Sequence, residues 1–199
     1  MAFRFFLFLL LCVQSVYCEI EEWLLQDIPL EKCTIIKQIP LHTVYRYENY
    51  YLKIWKENTR NMLNNRNMDF YLFAKEGALD NIVPLKAVII DKNNQCCGYV
   101  TYPCKILDID INAIKNGKKN GHPYETAVRK LLSNMQKSTL EFGVCFNDVC
   151  PGNLGIYNNA CYYFDLDGIW SLLKLKENFP EEWQAILFYL KEEFSYTSQ

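Results

Sequence analysis

Strand-like segments dominate the first half of the chain. Residues 33–39 and 43–56 are rich in β-branched and aromatic side chains, a composition typical of strands. Glu48 and Asn49 interrupt the second run and predict a turn, so this run forms a hairpin with Lys53 in its second strand. Residues 20–26, which precede these strands, predict a short amphipathic helix that ends near Pro29.

A helix and two further strands follow the hairpin. Residues 57–76 begin polar and become apolar, which predicts a helix closed by Gly77. Residues 82–90 and 98–102 predict two strands, and the polar residues 91–94 supply the turn between them.

Helices are expected mainly in the second half. A short helix is predicted at 108–114, then a flexible loop at 115–122. Residues 123–142 carry apolar side chains at helical spacing after a proline and before a glycine. Loops and short strands are expected at 144–163, and a terminal helix at 177–194. Because strands come first and helices later, the sequence predicts one α+β domain over residues 19–199.

The first 18 residues differ from the rest of the chain. Arg4 precedes an unbroken apolar run at 5–13, and Val16 and Cys18 occupy positions −3 and −1 of a cleavage site before Glu19. This pattern is typical of a signal peptide, and the run is shorter than the roughly 20 residues of a spanning helix. We therefore expect residues 1–18 to be removed, no stable membrane span afterwards, and entry into the secretory pathway.

Composition limits the classes of function. Of the 199 residues, 50% are hydrophobic and 15% are aromatic, which suffices for a core, and the formal net charge of −2 gives no basic excess for nucleic acid.

Nine cysteines are present, and seven remain after residue 18. In an oxidising compartment some should pair, and a disulfide among Cys145, Cys150 and Cys161 is favoured over catalysis. Their spacings do not fit a zinc site.

The residues with the clearest chemistry lie late in the chain. Asp148 and Asn153 stand five positions apart on a loop that contains a Pro-Gly turn, and an apolar segment then leads to Asp165 and Asp167. Carboxylate and amide oxygens are suitable ligands for magnesium, and a carboxylate can accept the proton of a substrate hydroxyl. These are the side chains that phosphoryl transfer needs.

The same residues carry a resemblance to a known superfamily. The Asp148–Asn153 spacing, the later Asp165 and the strand Tyr51-Leu52-Lys53-Ile54 resemble, in order and approximate spacing, the motifs of protein-kinase-like proteins. Together with the predicted signal peptide and the cysteines, they look most like divergent protein kinase domains of the secretory pathway. The resemblance covers roughly residues 34–175 and implies a small antiparallel-sheet N-lobe followed by a truncated helical C-lobe.

The resemblance also implies roles for individual residues. Asp148 would be the catalytic base and Lys53 would bind the ATP phosphates, paired with either Asp69 or Glu76. The residues that would bind the metal are Asn153, Asp165 and Asp167. The implied cofactors are ATP and Mg²⁺ or Mn²⁺, the γ-phosphate would go to a protein or glycan hydroxyl, and the location would be extracellular or the ER or Golgi lumen.

Departures from the kinase pattern keep other interpretations open. Glycine is absent before Gly77, so the loop that should cover the phosphates has none, and Phe146 and Asn147 replace the His-Arg pair before the catalytic Asp. A catalytically inactive kinase-like module that binds a partner is therefore the alternative. A cysteine-braced secreted binding protein unrelated to kinases, and a calcium site at Asp165 and Asp167, are further hypotheses.

Overall fold

The computed structural model describes residues 20–57, 82–119, 121–146, 148–178, 180–181, 183–185 and 188. Within them the protein is an α+β fold, as the sequence predicts, with a mostly antiparallel main sheet and few helices. The predicted signal peptide at 1–18 and the predicted helix at 57–76 lie outside the described residues, apart from position 57, and so do Asp69 and Glu76.

The main sheet has six strands. In chain order they are β1 (Glu21–Leu24), β2 (Thr34–Gln38), β3 (His42–Tyr47), β4 (Tyr50–Trp55), β5 (Leu85–Ile90) and β6 (Cys96–Thr101). Their order across the sheet is β1-β5-β6-β4-β3-β2, and every neighbouring pair is antiparallel except β1 with β5. The predicted hairpin is confirmed: Glu48, at its tip, adopts a positive φ of 52°.

The second half combines short strands with helices. Its strands are β7 (Lys105–Ile106), β8 (Val144–Phe146), β9 (Leu154–Tyr157), β10 (Ala160–Tyr163) and β11 (Ile169–Ser171), and its helices are α1 (Ile111–Lys115), α2 (Glu125–Phe142) and α3 (Leu172–Asn178). β10, β9 and β7 form one sheet, and β11 pairs with β8 in another.

Sequence signals explain the helix ends. The Asp110 side chain caps α1 by accepting a 3.0 Å hydrogen bond from the Ala113 N–H. Gly143 ends α2 with a left-handed φ of 64°, and its N–H donates to the Thr139 carbonyl. No described helix is long and apolar enough to cross a bilayer. The predicted terminal helix at 177–194 lies largely outside the described residues, although 183–185 are helical.

The helix predicted at 20–26 is wrong. Residues Glu21–Leu24 form β1, which pairs in parallel with β5 at the edge of the main sheet. A short 3-10 turn, Leu25–Asp27, follows it, and Trp23 and Ile28 belong to the apolar cluster on one face of the sheet. Strand pairing therefore outweighs the helical spacing of this short segment.

Two apolar clusters lie on opposite faces of the main sheet. The smaller cluster includes Leu52, Ile54 and Val100, together with the segment after β1. The larger cluster joins Trp55 and Tyr99 on the other face to α2 and to the second-half strands. This larger cluster places the second half against one face of the sheet, and Lys53 lies on that same face.

A row of aromatic rings runs from the main sheet to the second half. It consists of Trp23, Tyr50, Tyr102, Tyr157 and Tyr162, with successive ring centroids between 5.3 and 6.5 Å apart. Tyr102 lies between β6 and β7, and its ring stacks on that of Tyr157 with an interplanar angle of 27°. The link between the two halves is thus packed by aromatic contacts.

Candidate functional site

Lys53 is held in the interior by the strands on either side of it. On β4 it lies opposite Val44 of β3 and Tyr99 of β6. Its side chain is 11% exposed. Because a buried ammonium group is costly without a partner, its surroundings must supply negative charge.

That negative charge comes from the segment after β10, far away in sequence. The Lys53 Nζ atom lies 2.6 Å from Asp165 Oδ1 and 2.7 Å from Asp167 Oδ2. The structure therefore brings together the early lysine and two of the late acids predicted from sequence. We refer to Lys53, Asp165 and Asp167 as the buried ion cluster.

The charges of the cluster do not balance. Burial raises the pKa of the Asp167 carboxyl, Lys53 acts to lower it, and neighbouring Asp165 raises it further. Burial alone would lower the pKa of Lys53, but the two carboxylates more than compensate and hold it above its ordinary value. With one ammonium and two carboxylates, the cluster carries a net charge of −1 when all three groups are ionised.

Tyr99 fixes the segment that carries the two acids. Its hydroxyl donates to the Phe164 carbonyl and accepts from the Leu166 N–H, each at 3.3 Å. These bonds hold the backbone on both sides of Asp165. The Tyr99 ring also lies 5.8 Å from Lys53 Nζ, within range of a cation–π contact.

Local turn structure orients Asp167. Residues Leu166–Gly168 form a 3-10 turn in which the Gly168 N–H donates to the Asp165 carbonyl at 2.9 Å. The Trp170 indole N–H donates to the Asp167 carbonyl at 3.1 Å. This tight turn allows both acids to reach the same lysine although only one residue separates them.

Gly98 allows the strands to approach closely at Lys53. A Cβ atom at position 98 would overlap the Lys53 carbonyl oxygen and lie 3.1 Å from Ile54 Cα. Any larger residue would therefore push β6 away from β4 at the point where Lys53 is held.

The second part of the site is the loop that contains Asp148 and Asn153. The Asn153 Nδ2 atom donates to the Asp148 carbonyl at 2.9 Å and to its carboxylate Oδ2 at 3.0 Å. Asp148 itself is exposed and has a positive φ of 55°. Because the Asn153 amide nitrogen bonds to Asp148, its amide oxygen is the end that can accept a cation.

The loop is attached to the segment that carries the acids. The Phe164 N–H donates to the Asn153 carbonyl at 3.1 Å, and Phe164 directly precedes Asp165. The charge of Asp148 also acts on the Tyr163 hydroxyl. Burial is the main cause that raises the pKa of Tyr163, and the charges of Asp165 and Asp148 raise it further. The acid–amide pair and the buried ion cluster are thus parts of one region.

The donor atoms at the site fit a hard divalent cation. They are carboxylate and amide oxygens, which magnesium prefers. Asp167 Oδ1 is a buried oxygen of this kind, and a hydrogen bond from the Trp55 side chain favours the charged form of its carboxyl group. The described part of the chain contains no cluster of three or more His, Cys, Asp or Glu side chains with metal-binding geometry. A metal here would therefore need the amide oxygen, water or a ligand to complete its coordination.

The cysteines near the site form no disulfide. Within the described ranges, Cys145, Cys150 and Cys161 are all present as thiols, so the predicted bracing disulfide stays a prediction. Burial raises the pKa of the Cys161 thiol to about 12, which keeps it protonated and weakly nucleophilic at neutral pH.

Sequence reasoning missed two residues of this region: Tyr99 and Gly98. A cross-strand register would have placed Tyr99 and Gly98 next to Lys53, but composition alone does not give a register.

Comparison with models of known protein families finds no match, and a search of curated proteins finds no similar sequence.

Proposed function

We propose that the protein is an ATP- and magnesium-dependent kinase of the secretory pathway that transfers the γ-phosphate to a protein or sugar hydroxyl. The observation that carries this proposal is the contact of Lys53 with Asp165 and Asp167, across 112 positions of sequence in the case of Asp165. Phosphoryl transfer requires a lysine for the phosphates close to carboxylates for the metal.

Sheet topology supports a kinase-like fold. Strands β2-β3-β4-β6-β5 form an antiparallel array with the lysine on its third strand in chain order, before the acid-bearing loops. This agrees with the small antiparallel N-lobe that the sequence resemblance implies. β1, added in parallel beside β5, is an extra strand at the edge, and the described second half holds more short strands than the expected helical C-lobe.

Each polar side chain has a place in the proposed reaction. Asp148, exposed on its loop, accepts the proton of the attacking hydroxyl, and Asn153 orients it through the two bonds described above. Asn153 and Asp165, with Asp167 beside them, would hold magnesium, which neutralises phosphate charge when bound. Lys53 binds the phosphates, and Asp167 supplies a counter-ion for it.

The net charge of the buried ion cluster determines in which form ATP can bind beside Lys53. A cluster of charge −1 repels a free triphosphate but attracts a divalent cation. ATP is therefore expected to bind as its magnesium complex, whereas ATP without a divalent cation should bind poorly.

Thermal unfolding with ATP and Mg²⁺ tests this directly. Magnesium with ATP at 100 times its Kd should stabilise the protein by about 2.7 kcal/mol and raise Tm by roughly 5–10 °C. ATP with EDTA, or magnesium alone, should give a much smaller shift. Asp165→Asn should remove the magnesium-dependent part, whereas Asp108→Asn, an exposed acid in another loop, should not. Equal stabilisation with and without magnesium would contradict the proposal.

A kinase-like module that binds nucleotide or a partner without catalysis is the second candidate. The observation that favours it is that Asp165 and Asp167 both contact Lys53. Bound phosphate and metal must displace these contacts before transfer can occur. A magnesium-dependent thermal shift without ATP consumption or phosphorylated product would select this candidate over the kinase.

A further inference from the structure

The turn between β2 and β3 offers few backbone donors. The Ile39 N–H donates to the His42 carbonyl at 3.0 Å, and Pro40 has no N–H. The Lys56 N–H donates to the Leu41 carbonyl at 3.0 Å, which ties the turn to the end of β4. In the kinase pattern a glycine-rich loop at this place covers the phosphates. Here the turn is short and closed, so its backbone cannot supply a comparable row of amides.

The His42 side chain lies on the face of the sheet that carries Lys53. His42 is opposite Trp55 in the β3–β4 register, and Lys53 is two residues before Trp55. Residues opposite each other, and residues two apart on one strand, project from the same face. The imidazole is half-buried on this face of the sheet.

Electrostatics agree with this placement. Burial is the main cause that lowers the pKa of His42 to about 4, Lys53 lowers it further, and Asp165 acts in the opposite sense. The charges of two members of the buried ion cluster, Lys53 and Asp165, therefore act on the imidazole ring. At neutral pH it is uncharged, with one N–H donor and one acceptor nitrogen.

We propose that the His42 imidazole contacts the outer phosphates of the bound nucleotide and replaces the backbone amides that the closed turn does not provide. This inference rests on the proposed function, since it assumes that a nucleoside triphosphate binds beside Lys53. His42 donates one hydrogen bond to a phosphate oxygen, while Lys53 supplies the charge.

Direct binding of two ligands tests the role of His42. Affinities for ATP with magnesium and for adenosine are measured by calorimetry on the full chain and on His42→Ala, His42→Gln and His122→Ala. His122 is the matched control, because it is also half-buried but lies before α2, where its Nδ1 accepts the Tyr124 N–H at 3.2 Å.

A triphosphate-specific loss is the expected result. His42→Ala should weaken ATP binding roughly 10- to 100-fold, as for loss of a hydrogen bond to a charged group. Adenosine binding should stay within about 2-fold, because adenosine lacks the phosphates. His42→Gln keeps a neutral N–H donor and should recover part of the ATP affinity, and His122→Ala should match the unaltered chain.

Each other outcome overturns the inference. Equal losses for ATP and adenosine in His42→Ala would show that the ring only packs against Trp55. Unchanged ATP affinity in a folded His42→Ala protein, or a Gln variant no better than Ala, would remove the phosphate contact while leaving the proposed kinase function intact. Absence of ATP binding by the unaltered chain would overturn both.

Discussion

The two parts of the candidate site differ in exposure and therefore in what they can do. Lys53, Asp165 and Asp167 form an ion cluster whose side chains are 11%, 27% and 20% exposed. Asp148 and Asn153 form an acid–amide pair on a surface loop, and Asp148 is exposed. A buried cluster is fixed in geometry and costly to unpair, which suits binding. An exposed carboxylate can reach a macromolecular hydroxyl, which suits chemistry.

The largest effect is expected from Lys53→Met. Removal of the ammonium leaves two carboxylates close together without their cation, and breaking such a pair costs about 3–5 kcal/mol. Urea unfolding should show this loss, together with loss of the magnesium–ATP thermal shift. Lys53→Arg keeps the charge and serves as the control; a Met variant as stable as the Arg variant would show that the cluster is not coupled as described.

The exposed loop should behave in the opposite way. Asp148→Asn should reduce turnover roughly 10²- to 10⁴-fold, the range for a general base, and change stability by less than about 0.5 kcal/mol. Asn is chosen because it tolerates the positive φ of 55°, whereas Asp148→Ala adds backbone strain of about 1 kcal/mol. Product formation and urea unfolding measure the two effects. A large loss of stability in Asp148→Asn would remove the contrast between the two parts.

Gly98→Ala tests how the sheet supports the buried cluster. Because the new Cβ would overlap the Lys53 carbonyl, the strands must separate, at a cost of about 1–3 kcal/mol. Gly152→Ala is the control for stability, because its Cβ would meet only Cys150 Sγ at 3.9 Å, an ordinary contact. Similar unfolding midpoints for the two variants would mean that β6 adjusts without strain.

The smallest effect concerns the pH dependence of stability. The pKa of Asp167 is higher in the folded protein than its ordinary value of 3.8, so the folded state takes up this proton first as pH falls. Stability from this group therefore rises as pH falls through the folded-state pKa and levels off below 3.8. Without added metal, the unfolding free energy of the unaltered chain should therefore rise relative to that of Asp167→Asn as pH falls through that window. No change between pH 7 and pH 4 would argue against a raised pKa.

Local patterns predicted most of the described elements but not their pairing. Strands around Lys53, the turn at 91–94 and the long helix α2 follow from residue preferences and helical spacing, and the structure confirms them. β1 was mistaken for a helix because its parallel partner, β5, lies over 60 positions away. Partners at that distance are decided by tertiary packing, which a local pattern does not contain.

The candidate site shows the same division. Asp148, Asn153 and Asp165 were identified from spacing on neighbouring loops, and Asp167 was included because it follows Asp165 closely. The contribution of Tyr99 depends on the β4–β6 register, which places it opposite Lys53. The sequence left open whether Asp69 or Glu76 pairs with Lys53, and both lie outside the described residues. Within the described residues, Asp165 and Asp167 contact the lysine.

The aromatic row beside the link between the two halves has a mechanical consequence. Tyr102 and Tyr157 meet face to face at 5.3 Å, whereas Trp23 and Tyr50 meet edge to face. Stacked faces can slide past each other with little loss of dispersion contact, but separating them exposes both rings to water. The two halves should therefore shift more easily by lateral shear along these rings than by opening on this side.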